Sequence, residues 1–151
     1  MTAPVSLKAT SLDDLTFPEL MRLAVKQLAI SKGKEANQTL WLREEPQQLH
    51  KTLLDLKQHL QDQLPPLRRL HFITAGPFPY SGDVVEALDL LQQANAIARE
   101  NPDYQKFSPK IFRDTRGILA QDLQTLFGAN RDARTAFDEF VRGLEAVIAD
   151  P

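Results

Sequence analysis

Cysteine is absent from this chain. No disulfide framework, thiolate metal site or cysteine nucleophile can be built without it. Aromatic residues are scarce, at 7% of 151 residues. They form no interleaved basic and aromatic surface of the kind that stacks single-stranded bases. No apolar run approaches the roughly 20 residues that cross a bilayer, and the opening "MTAPVSLKAT" lacks the charged start and apolar stretch of a secretory leader. A cytoplasmic location, with no membrane partner, is the expectation by elimination. An excess of either charge is also missing. Eighteen Lys and Arg against 20 Asp and Glu give a net charge of −2, which removes the simplest electrostatic case for a nucleic-acid or membrane-surface protein.

What is present suits one globular domain with a real core. Apolar residues make up 42% and charged residues 25%. Residues 1–15 are expected to be loose and 16–150 to form a single helical domain. Thr16 and Glu19 have the spacing of a capping box, Pro18 suits the first helical turn, and Leu20, Leu23, Ala24 and Leu28 share one face up to Gly33. "TLWLR" at 39–43 is short and ambiguous between helix and strand. Pro46 opens a helix with a leucine seam at 49, 53, 56, 60 and 64, which Pro65 and Pro66 stop. "LRRLHFIT" at 67–74 is a short apolar element of open type. Ser108 and Pro109 read as the cap and first residue of a later helix with apolar positions Ile111, Phe112, Ile118, Leu119, Leu123 and Leu126. Asn130 caps the last helix, which carries Phe137, Phe140, Val141, Leu144, Val147 and Ile148. The short link at 128–130 makes these two helices an antiparallel hairpin. The fold class is therefore mainly α: about five helices, at most a small β-hairpin, and a C-terminal helical hairpin.

"GPFPYSGD" at 76–83 is the stretch that most resembles a chemical loop. A nucleophile elbow needs Gly-x-Ser-x-Gly, and Ser81 is flanked by Tyr80 and Gly82. A phosphate cradle wants a glycine-rich loop ending in Lys-Ser or Lys-Thr, and Asp83 would repel a phosphate. Ser81 instead stands where a helix cap stands, with Asp83 in the first turn favouring the helix dipole. Phe78 and Tyr80 are expected to fold back onto that helix. Other chemistry is equally thin. His50 and His59 are nine residues apart, on opposite sides of one helix, and no Glu-x-x-His or His-Glu-x-x-His motif exists. No catalytic, cofactor-binding or metal residues are assigned.

"YSGDVVEALDLLQQANAIARENPDYQKFSP" resembles the second half of a winged-helix domain. Leu88 and Leu91 stand as the helix leucines, and Ala94 and Asn95 as the small residues. Ile97 resembles the aliphatic residue that starts the wing, "RENPDYQ" its tip and "KFSP" its return strand. A plain helix, turn and helix accounts for the same residues. The resemblance implies DNA binding through the helix from Val84.

The charge on that helix points elsewhere. Its outward arc is Glu86, Asp89 and Gln93, and carboxylates there would meet phosphate charge. Residues 83–103 hold five acidic residues against Arg99, a net −4 that disfavours nucleic acid. Residues 104–118 hold Lys106, Lys110, Arg113 and Arg116 against Asp114, a net +3. Spacing of three puts Lys110, Arg113 and Arg116 on one slowly turning stripe. The expected function is a protein-binding or adaptor module without catalytic activity, using Glu86, Asp89 and Gln93 with Lys106, Lys110, Arg113 and Arg116, and able to self-associate. The alternative is a winged-helix-like DNA-binding regulator that uses Arg68, Arg69 and the basic stripe on phosphates. A small hydrolase or transferase comes third.

Overall fold

The computed structural model describes residues 11–31, 40–42, 46–93, 97–99, 106–109, 115–145 and 148–149. The elements run α1 (Phe17–Ser31), β1 (Leu40–Leu42), α2 (Pro46–Leu60), α3 (Pro65–Arg68), α4 (Gly82–Gln93), β2 (Ile97–Arg99), β3 (Lys106–Pro109), α5 (Thr115–Phe127), α6 (Arg131–Glu145) and β4 (Ile148–Ala149). The protein is mainly helical.

Helix α1 begins on a complete capping box. The Glu19 N–H donates to Thr16 Oγ1 at 3.3 Å, and the Thr16 N–H donates back to Glu19 Oε1 at 3.1 Å. One expected apolar face proves too few. Leu20, Met21, Leu23, Ala24, Val25 and Leu28 are all buried, because α1 touches α3, α4, α5 and α6. A helix covered on several sides needs apolar residues around most of its circumference. Each large side chain buried there stabilises the fold by roughly 1.5–3 kcal/mol.

Helix α2 presents the leucine seam. Leu49, Leu53, Leu60 and Leu64 are buried, and Leu56 packs against the core edge. The helix faces α6, and at one point the two backbones come close. A Cβ on Gly143 would lie 2.6 Å from Leu56 Cδ2, so only hydrogen fits beside the leucine as it stands. The prolines do not end α2, which has already stopped at Leu60. They open α3, with Pro65 in its first turn, where its missing N–H costs nothing.

Helices α5 and α6 form the C-terminal hairpin. Asn130 caps α6, its Oδ1 accepting the Ala133 N–H at 3.0 Å. Phe127 and Phe137 meet across the hairpin with ring centroids 5.3 Å apart. Three details differ from the sequence expectation. Ser108 and Pro109 belong to β3 and are not the cap and first residue of the described helix α5, Thr115–Phe127. Ile118 is 48% exposed, one position off the buried stripe of Leu119, Leu123 and Leu126. The last helix also ends at Glu145; Ile148 lies in β4, and Val147 lies outside the described residues.

The strands pair antiparallel in the order β2-β3-β1-β4. Ile97 pairs with Pro109 and Arg99 with Phe107, so β2 and β3 form the hairpin that the sequence allowed. Strand β1, the ambiguous "TLWLR" segment, adds to β3 through Leu40 and Phe107. Pro109 ends its strand, where an absent N–H is tolerated.

Candidate docking surface

The loop from His71 to Tyr80 and the start of α4 are held by a compact set of contacts. Ser81 is fully buried, and its Oγ accepts the Val84 N–H at 3.4 Å. That is the N-cap geometry, so the hydroxyl is committed to the helix start. The Ser81 N–H donates to Nδ1 of His50 on α2 at 3.1 Å. An accepting Nδ1 places the imidazole proton on Nε2. His50 is buried, and burial lowers its pKa from the ordinary value. Tyr80 lies stacked on the His50 ring, centroids 5.1 Å apart and planes 18° from parallel. Ile73 and Tyr80 exchange backbone bonds of 2.7 and 3.0 Å, closing the loop on itself. Asp83 Oδ2 accepts the His71 N–H at 2.8 Å and lies 3.4 Å from the His71 ring.

Tyr80, expected to fold back onto α4, stacks on His50 of α2. Both aromatic residues stay partly exposed, Phe78 at 41% and Tyr80 at 43%, with Ile73 at 64%. On α4, Val84, Ala87 and Leu88 are buried as the helical period requires, Glu86 is exposed and Asp89 is half-buried. Leu90 is 43% exposed beside them. At 100° per residue, Asp83, Glu86 and Leu90 share one stripe. Gln93 closes α4; its side chain lies outside the described residues.

Lys106 falls in β3 and Arg116 in α5, while Lys110 and Arg113 lie outside the described residues. Of Lys110, Arg113 and Arg116, Arg116 alone lies on a described helix, α5. Arg68 donates to the Gln61 carbonyl at 3.2 Å, which satisfies an orphan acceptor just beyond the end of α2. Arg69 donates to the Leu15 carbonyl at 2.9 Å and also to the Asp13 carbonyl. Arg134 pairs with Asp138 at 3.3 Å and sits 6.0 Å from the Phe137 ring centre. These guanidinium groups are engaged within the chain.

A further polar group lies between α1 and α5. Arg22 is buried, and burial lowers its pKa. Burial, with Arg22 beside it, pushes Lys26 down to about 8. Burial pushes Asp122 up, against the pull of both cations. Arg22 interrupts the run "LMRLAV", and a charge among so many apolar neighbours was the available sequence signal. Nearby, Gln27, Ile30, Leu119, Ala120, Leu123, Gln124 and Arg134 line an open groove of about 300 Å³. Lys26 does not reach it, so the perturbed amine and the groove do not combine into a reaction site.

Among the described residues no group of three or more His, Asp or Glu could hold a metal ion, and no helix is long and apolar enough to cross a membrane. No family model, curated protein or solved structure matches this chain.

Proposed function

We propose that this protein is a small helical docking module that binds another protein and carries out no chemistry of its own. The observation that carries this reading is the make-up of α4. The helix that the winged-helix resemblance would place in a DNA groove bears Asp83, Glu86 and Asp89 and no Lys or Arg. A groove-reading helix needs donors towards phosphates and base edges, and three carboxylates offer none. Glu86, Asp89 and Gln93 would belong to the binding face, with Lys106, Lys110, Arg113 and Arg116 as a second, basic region. Self-association through the two regions is one form of the same reading. A cytoplasmic setting agrees with it.

The second reading is a winged-helix-like DNA-binding regulator. A specific observation favours it. Strands β2 and β3 fall at Ile97–Arg99 and Lys106–Pro109, where the resemblance puts the two strands of a wing. Against it, Arg68 and Arg69 already spend part of their donor set on backbone carbonyls.

Fluorescence anisotropy of mixed-sequence duplex DNA, titrated at low and at moderate salt, separates the two. The docking module gives no saturable change even at low salt. Saturable binding that falls steeply with salt would overturn it, because that dependence reports phosphate neutralisation.

A further inference from the structure

We propose that the 71–80 loop and the outward stripe of α4 form one docking surface for a lysine- or arginine-rich protein segment that carries apolar anchors. The proposal rests on the docking-module reading and specifies its partner.

Single exposed apolar residues are ordinary on a protein surface. These differ in how they are held. Ile73, Phe78 and Tyr80 lie within eight residues of one another, and all are more than 40% exposed. The loop that carries them is pinned by the Ile73–Tyr80 backbone pair, the His71–Asp83 contacts, the Ser81–His50 hydrogen bond and the Tyr80–His50 stack. Pro77 and Pro79 restrict it further. The ordering entropy of a contact loop has thus already been spent in the folded chain, which favours tight association. A loop held in this way presents apolar side chains to water for a reason other than slack.

The charge around the loop selects the partner. "HFITAGPFPY" contains no Lys, Arg, Asp or Glu, and α4 beside it contributes Asp83, Glu86 and Asp89 with no basic residue. Asp83 is the junction. It bonds the loop at His71 and lies on the same helical stripe as Glu86 and Leu90. The face is therefore apolar at the loop, acidic along the helix, and apolar again at Leu90. The nearest guanidinium groups in sequence, Arg68 and Arg69, hold backbone carbonyls. A basic segment complements this pattern. Its long side chains can lay their methylene stems on Ile73, Phe78 and Leu90 while their charges meet Glu86 and its neighbours.

The test is amide chemical-shift mapping on the full chain, with two synthetic probes of equal length and hydrophobicity. One is a leucine–lysine amphipathic peptide, the other its leucine–glutamate counterpart. The expected result is saturable shifts at residues 71–80 and 83–90 with the lysine peptide and none with the glutamate peptide. Phe78→Ala and Glu86→Lys are both at exposed positions, so they should keep the wild-type melting temperature. Each should weaken lysine-peptide binding tenfold or more. Shifts that map elsewhere, or equal binding of both peptides, would overturn this surface and leave the docking reading standing. Concentration-dependent broadening of 71–90 without peptide would assign the surface to a second copy and overturn the basic partner. Shifts of α4 produced by duplex DNA in place of either peptide would overturn the docking reading itself.

Discussion

The backbone N–H of Ser81 donates to Nδ1 of His50 across 3.1 Å, tying the start of α4 to α2. The bond requires a neutral imidazole, because a protonated Nδ1 would face the N–H as a second donor. Burial lowers the folded-state pKa of His50 below 6.5. Above pH 6.5 both folded and unfolded chains hold the ring neutral, and stability is at its plateau. As pH falls below 6.5 the unfolded chain takes up the proton first, and stability declines until the folded pKa is passed. Urea unfolding between pH 7.5 and 5 should show this decline. A His50→Gln variant should show a shallower slope across the same range; an identical slope would remove His50 as the cause.

Lys26 makes the opposite end of the pH scale informative. Its folded pKa is lowered to about 8, against 10.5 in the open chain. Between those values the unfolded chain binds a proton that the folded chain does not, so stability should rise from pH 8 to 10. Lys26→Met should abolish that rise and be at least as stable as wild type at pH 7, because a desolvated amine is replaced by an apolar chain of similar length. Thermal unfolding at pH 7, 8, 9 and 10 decides it.

Ser81→Ala removes one cap acceptor at a fully buried site. The expected loss is about 1 kcal/mol, and Asn130→Ala at the start of α6 should match it. Both are read from the urea midpoint at constant m-value. A loss above about 3 kcal/mol would exceed what a single cap supplies and would give Ser81 a further structural role.

Phe140 and Phe137 are fully buried within the chain. Replacing either by Ala should cost about 3–5 kcal/mol. Phe140→Asp would leave an unpaired charge in the core and unfold the domain. Circular dichroism of Phe140→Asp at 25 °C should show lost helix, whereas retained structure would place the ring outside the core.

The features that were legible in the sequence are local. The Thr16–Glu19 box, the α2 seam, and the caps at Ser81 and Asn130 each depend on residues within about a turn, and each appears where spacing predicts it. The expected helix cap at Ser108 was misplaced for a non-local reason. Ser108-Pro109 has the form of a cap and first turn, but β3 gains pairing from β1 on one side and β2 on the other, and the segment is strand. Periodicity placed Ile118 in the core by a single position, because it cannot say which flank of α5 the neighbouring helices cover. The burial of Arg22 and the turn of Tyr80 towards His50 depend on partners 30 or more residues away in sequence, which no short window contains.

Helix α1 touches every other helix except α2 closely. Neither α3, α4, α5 nor α6 can leave without baring part of it, and α2 packs on α6, so the domain should open as one cooperative unit rather than in pieces. Amide hydrogens in the middle of α1 should then exchange with solvent only through global unfolding. Their exchange rates would read out the full stability of the domain, while those of the 71–80 loop would report only its own local opening.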